Sequence, residues 1–208
     1  MYRHSYYTEK DEEIVFEFMQ KNPFAIVTGI LNGSPVATHI PLEIKKENGD
    51  LFLMGHIMKE TDHYKAFLQN ENVLVIFTGP HCYVSASWYV TKNVASTWNY
   101  MDVHAKGKIN FTNGEGTKEI IESLTNQYES YESEAAFHKL PVEYVDRVSK
   151  AIIGFHIKIE SLENVFKLSQ NRDEVTKKQI IENLKKTNDY FAGEIAKEMA
   201  LRTSTSSV

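Results

Sequence analysis

From Phe24 onward the chain alternates short apolar runs with turn residues. The segments FAIVTGIL (24–31), VATHIPLEI (36–44) and LFLMGH (51–56), separated by Asn32-Gly33-Ser34-Pro35 and Asn48-Gly49-Asp50, predict a three-stranded meander. Further strands are predicted at VLVIF (73–77), closed by a Gly79-Pro80 turn, and at VHAKGKINF (103–111). Residues 153–162 set Phe155, Ile157 and Ile159 against His156, Lys158 and Glu160, a strand with one wet face, and 165–168 pairs with it or extends it. Helical spacing replaces this pattern in four places. Residues 9–20 place Asp11, Glu12 and Glu13 before an apolar stripe, as suits a helix start. Residues 61–69 predict a short helix, 117–128 carry Ile120, Ile121, Leu124 and Tyr128, and the tail carries Ile180, Ile181 and Leu184, then Phe191, Ile195 and Met199. The expected class is α+β, an antiparallel barrel decorated by helices. Residues 1–172 form the barrel domain and 173–208 a helical tail packed on it, with the terminal TSTSSV fraying.

A chain of 208 residues, roughly 1.4 times a typical ~150-residue domain, has room for one core and an appendage. The single Cys82 cannot form an internal disulfide. No apolar run approaches the ~18 residues of a membrane span, and the opening MYRHSYYTEKDEE carries charge where a signal peptide needs an apolar stretch. The expectation is a soluble, cytoplasmic protein without a membrane partner. Lys and Arg number 23 against 28 Asp and Glu, a net charge of −5 that argues against a bulk electrostatic grip on DNA.

Most isolated motifs read as structure rather than chemistry. Gly114-Glu115-Gly116-Thr117-Lys118 lacks the order of a phosphate loop and reads as the turn before a helix. His81 and Cys82 are adjacent on a strand, so they point to opposite faces and do not form a thiol–imidazole pair. The eight histidines include no HxH or HExxH, and no GxSxG elbow is present. The set of catalytic residues proposed from sequence is therefore empty, as is the set of metal ligands.

Five segments are richer in polar and aromatic residues than a plain core or surface requires. They are Thr38-His39-Ile40-Pro41-Leu42; Gly55-His56 through Lys59 to Thr61; Gly79 to Tyr89, containing Ser85, Ser87 and Trp88; Thr97-Trp98-Asn99-Tyr100 with Val103-His104; and Lys167-Leu168-Ser169-Gln170-Asn171. A planar cofactor with a phosphate uses all these types: hydroxyls and Lys for phosphate, amides for the ring edge, indoles for its faces. The plain alternative is that the tryptophans fill the barrel ends and the amides cap turns.

In this order, THIPL, GH with Lys59, GPHCYVSASWY, TWNYMDVHAKG and KLSQN resemble the PaiB family of FMN-binding split-barrel proteins. The chain departs from the family pattern at Thr61-Asp62, where Asn-Pro is usual, and at Ala86, where Pro is usual. The resemblance implies a six-stranded antiparallel Greek-key split barrel, a homodimer with FMN between the subunits, and a role as a negative transcriptional regulator of sporulation and protease production. It also implies a site. His56, Lys59 and Thr61 lie near phosphate and ribitol, and Thr38, His39, Ile40, Pro41 and Leu42 present backbone to the ring edge. Ser85, Ser87, Trp88, Trp98, Asn99, Lys167, Ser169, Gln170 and Asn171 complete the pocket. Lys167 at the N1/C2 carbonyl edge would tune the flavin. Two other readings stay open: a flavin-dependent oxidoreductase of the flavin reductase or pyridoxamine phosphate oxidase type, and a haem-binding split barrel with His81 or His104 on iron. Neither a helix-turn-helix nor a zinc finger is present to read DNA. The candidates for direct DNA contact are Lys177, Lys178, Lys185, Lys186, Lys197 and Arg202 of the tail, and the plain alternative is a solvated helix face balanced by Asp173, Glu174, Glu182 and Glu194.

Overall fold

The computed structural model describes residues 1–2 and 4–204, with side chains to 202. The expected fraying of TSTSSV falls largely outside the described residues. Among the described residues six α-helices and seven strands follow one another: α1 (Glu12–Lys21), β1 (Phe24–Leu31), β2 (Ser34–Pro41), β3 (Glu43–Glu47), β4 (Asp50–Met58), α2 (Asp62–Gln69), β5 (Asn72–Val84), β6 (Thr97–Phe111), α3 (Gly114–Tyr128), α4 (Val142–Ala151), β7 (Ile152–Lys167), α5 (Glu174–Lys185) and α6 (Tyr190–Ser204). The strands form one sheet in the order β2-β1-β5-β6-β7-β4-β3.

That order explains the barrel. Its two edge strands, β2 and β3, are consecutive in sequence and separated by Leu42 alone. A chain that passes from one edge to the other through a single residue requires a sheet curled until its edges meet, and β2 does lie against β4 across this seam. The single strand expected at 36–44 is therefore two, broken at Leu42, whose side chain is buried to 1% exposure. Counted as one bent strand, they restore the six-stranded barrel.

Both hairpin turns are two residues long, Asn32-Gly33 (φ 50° and 81°) and Asn48-Gly49 (φ 52° and 87°). Positive φ at both positions is the left-handed geometry that matches the twist of paired strands, and Asn-Gly tolerates it. The turn expected at Gly79-Pro80 does not form; β5 runs through it to Val84. Gly79 has another use, since a Cβ there would lie 2.5 Å from a carbon of the Phe18 ring. β7 extends without interruption to Lys167, β6 begins at Thr97 rather than 103, and α4 is a helix that the sequence pattern missed.

The chain divides into two units. One comprises Met19–Phe77 and His104–Leu162. Its core holds Ala25, Val27, Leu53, Val75, Phe77, Ala105, Phe155 and Ile157, each with no exposed surface. Each buried Val, Leu, Ile or Phe among them contributes about 1.5–3 kcal/mol relative to exposure. The second comprises Met1–Phe18, Thr78–Val103 and Glu163 onward. Here Phe166, Val103, Tyr89, Ile180, Leu184, Ile195 and Met199 are buried. Phe191, expected on the buried stripe, is 43% exposed with its ring 4.9 Å from that of His81. Cys82 is buried, and burial, followed by the Asp189 charge, pushes its thiol up to about 12, so it stays protonated.

Candidate functional site

The expected site residues gather into two groups, one in each unit. In the first, β2 pairs with β1 so that Thr38, His39, Ile40 and Pro41 oppose Val27, Ile26, Ala25 and Phe24. His56 on β4 opposes Gly154 of β7. Thr61 begins α2 as its N-cap, accepting from Tyr64 N at 3.3 Å and donating to Met58 O at 3.0 Å. These residues line one cavity of about 320 Å³, with Ile57, Met58, His63 and Ile152.

Polar chemistry in this cavity is dominated by three imidazoles. The Nδ1 of His56 is buried without a hydrogen-bond partner, and burial holds the ring below the ordinary histidine range. His63, which sequence reasoning missed although it stands two residues after Thr61, donates its backbone N–H to Asp62 Oδ1 at 2.7 Å and sets its Nδ1 3.1 Å from the same oxygen. Thus the negative charge at Asp62 is engaged by its neighbour. No acidic side chain is among the described lining residues. Lys59 does not line the cavity; its Nζ donates to Lys150 O at 3.1 Å, where α4 ends. Leu42 is core.

The second group is organised by the end of β7. Ser169 has φ 60°, a left-handed backbone that a serine adopts only when its surroundings impose it. They do so here through four hydrogen bonds. The Ser169 hydroxyl donates to Asn99 Oδ1 (3.0 Å), Leu168 N to Gln170 Oε1 (2.8 Å), Gln170 Nε2 to Phe166 O (2.5 Å) and Arg172 N to Ser169 O (3.0 Å). Asn99 and Gln170 are thereby occupied within the chain. The turn they hold presents Lys167, Ser169, Asn171 and Arg172 to a cavity of about 230 Å³, with Thr97 and the tyrosines 2, 6 and 7 around it. Arg172 directly follows the KLSQN motif, yet the motif did not single it out.

Ser85, Ser87, Trp88 and Trp98 line neither cavity. Ser85 Oγ accepts from Ser87 N at 3.2 Å and caps a short 3-10 turn, Ala86–Trp88. Trp98 is 55% exposed, flanked by His81 (6.3 Å) and Tyr83 (6.1 Å).

A curled antiparallel sheet whose edges meet at one residue, flanked by helices, defines the split-barrel class. Solved structures share it: the flavocytochrome Anf3 of Azotobacter vinelandii aligns with a TM-score of 0.60 at 16% identity, covering 80% of this chain and 72% of that one. The FAD and heme binding protein of Mycobacterium smegmatis aligns at 0.59 and 15% identity, covering 77% and 73%. Residues 1–161 match the family model described as "Putative FMN-binding domain". The chain is 36% identical over 96% of its length, and 96% of the relative's, to "Protease synthase and sporulation protein PAI 2" of Bacillus subtilis (strain 168). An uncharacterised protein of Emericella nidulans is 30% identical, covering 82% of this chain and 84% of that one. The chain belongs to the PaiB-type family of FMN-binding-domain proteins.

Proposed function

We propose that the protein binds FMN as a homodimer and works as a regulatory protein, a negative transcriptional regulator, rather than as an efficient metabolic enzyme. The observation that carries the flavin reading is the His56 cavity. It holds a buried imidazole nitrogen without a partner and two further imidazoles, with no carboxylate among its described lining. That donor set fits a phosphate. His56 holds the phosphate end, Thr61 turns its hydroxyl from Met58 O toward it, Lys59 swings from the α4 terminus to add a point charge, and the 38–42 backbone borders the ring. Of the other residues in the family pattern, only Lys167, Ser169 and Asn171 face a cavity, the one at the end of β7; Asn99 and Gln170 are engaged within the chain, and Ser85, Ser87, Trp88 and Trp98 line neither cavity. Bound FMN supplies hydride and electron transfer; the chain supplies binding and orientation.

The regulatory role is supported by the Bacillus subtilis relative, whose name joins protease synthesis to sporulation. Residues 1–172 carry the cofactor, and 173–208 are an appended tail. The effect on transcription is indirect, through a protein partner or a flavin-linked metabolite, or through weak DNA contact by the tail. Lys177 and Lys197 of that tail are paired with Glu174 (2.8 Å) and Glu194 (2.6 Å), which lowers its pull on phosphate. A visible absorption spectrum of the purified protein mixed with FMN and desalted tests the reading. A retained flavin band supports it; no band, or a haem Soret band, overturns it. A DNA-pool assay at ~50 and ~200 mM salt should show only weak, salt-sensitive binding.

A further inference from the structure

The cavity at the end of β7 brings two cationic side chains together with several hydroxyls. Lys167 Nζ donates to Thr97 Oγ1 at 2.6 Å, and an ammonium can only donate, so the hydrogen of the Thr97 hydroxyl remains free to point elsewhere. Ser96 is in the same position: its Oγ accepts from Ala86 N at 2.9 Å and keeps its own hydrogen. Both hydroxyls line the cavity. Tyr7, also lining it, has its phenol pushed up to about 12, by burial first and then by Tyr6 and Tyr2, so it keeps its proton.

Its two cations are not balanced. Burial and the nearby Arg172 charge both hold Lys167 below the ordinary lysine range, and no acidic side chain is among the described lining residues. Arg172 lies over the Tyr89 ring at 4.4 Å, while Lys167 stands 5.9 Å from the rings of Tyr2 and Tyr7. Aromatic faces steady such charges but do not neutralise them. The nearest acid in sequence, Asp173, is spent on Thr176 N at 2.9 Å as the cap of α5. A half-buried pair of like charges beside hydroxyls with free hydrogens suits an oxyanion.

We propose that this cavity binds a second ligand distinct from the flavin: a small metabolite whose carboxylate or phosphate group sits between Lys167 and Arg172 and accepts from Ser96 and Thr97. At about 230 Å³ the cavity is smaller than the ~300 Å³ and upward that encloses a drug-sized molecule, which limits the ligand to a small acid or phosphate ester. Lys167, Ser169 and Asn171, which the family resemblance assigns to the flavin, line this cavity, and the proposal gives them to the second ligand instead.

The test uses the full chain in an oxyanion-free buffer, titrated separately with inorganic phosphate and with benzoate, at constant ionic strength set by sodium chloride. Melting temperature and intrinsic fluorescence report binding. The expected result is a saturable rise with at least one of the two probes, and which probe acts tells a phosphate ester from a carboxylate. Arg172→Gln should weaken it about tenfold or more, and Thr97→Val, which preserves shape, several-fold. Lys10→Gln, an exposed lysine ahead of α1, should leave it unchanged. The proposal is overturned if neither probe exceeds the chloride control, if Arg172→Gln and Thr97→Val bind as the parent does, or if FMN displaces the probe. FMN titrated in parallel keeps the two readings apart: oxyanion binding without FMN binding sinks only the flavin reading, and the reverse sinks only this one.

Discussion

Ser169 donates its hydroxyl to the side-chain oxygen of Asn99 at 3.0 Å, and both side chains are buried, Asn99 completely. The bond reaches 70 residues along the chain and holds a left-handed serine in place. Asn99→Ala should therefore cost about 1–3 kcal/mol, the penalty of leaving a buried partner unsatisfied. Urea unfolding checks this; an unchanged midpoint would show that the Ser169 turn holds without Asn99.

Two glycines should respond in opposite directions to alanine. Gly193 lies inside α6, and a Cβ added there would meet nothing within 4 Å, so Gly193→Ala should stabilise by about 0.5–1 kcal/mol through helix propensity. At Gly107 a Cβ would stand 2.2 Å from the carbonyl oxygen of Lys158, and backbone cannot step aside as a side chain can. Gly107→Ala should lower the melting temperature markedly or abolish folding.

Acid should weaken the fold through Glu9. Burial alone pushes its carboxyl up, but the Arg202 guanidinium and the N–H groups of Asp11 and Lys10 outweigh it and hold the group below its ordinary 4.5. A carboxyl depressed in the folded state stabilises above its unfolded value, and that contribution is lost as pH falls below 4.5 toward the folded one. Urea melts from pH 7 down to 3 should show this acid limb, and Glu9→Gln should flatten it while lowering stability at neutral pH.

Sedimentation equilibrium at micromolar protein should return about twice 23.9 kDa. Trp98, Tyr83 and Phe191 are 55%, 52% and 43% exposed, the kind of aromatic surface rarely left in water. A monomer at every concentration would remove the two-subunit flavin site.

The hairpins were legible because Asn-Gly states its own geometry, and the strands because burial alternates along β5 and β6 as the apolar residues do. Other features left no local trace. Leu42 reads as one more apolar position in a strand, and only the closure of the sheet makes it a corner. Gly79-Pro80 reads as a turn because the pattern cannot show the Phe18 ring that uses the missing Cβ. Within the site, the motifs located both cavities but not the division of labour. Asn99 and Gln170 turn inward to hold a loop, whereas Arg172 and His63, one and two residues beyond the residues singled out, face the cavities. Periodicity does not distinguish a polar side chain that meets a ligand from one that meets its own backbone.

Flavin fluorescence quenching, with FMN and riboflavin titrated in parallel at pH 7, tests the central claim most directly. The account predicts saturable binding of FMN, and riboflavin weaker by roughly tenfold to a hundredfold, since a charge-assisted phosphate contact is worth ~1.5–3 kcal/mol. His56→Gln and Lys59→Ala should narrow that gap by weakening FMN alone. No FMN binding, or equal affinity for both flavins, would contradict the phosphate site built around His56.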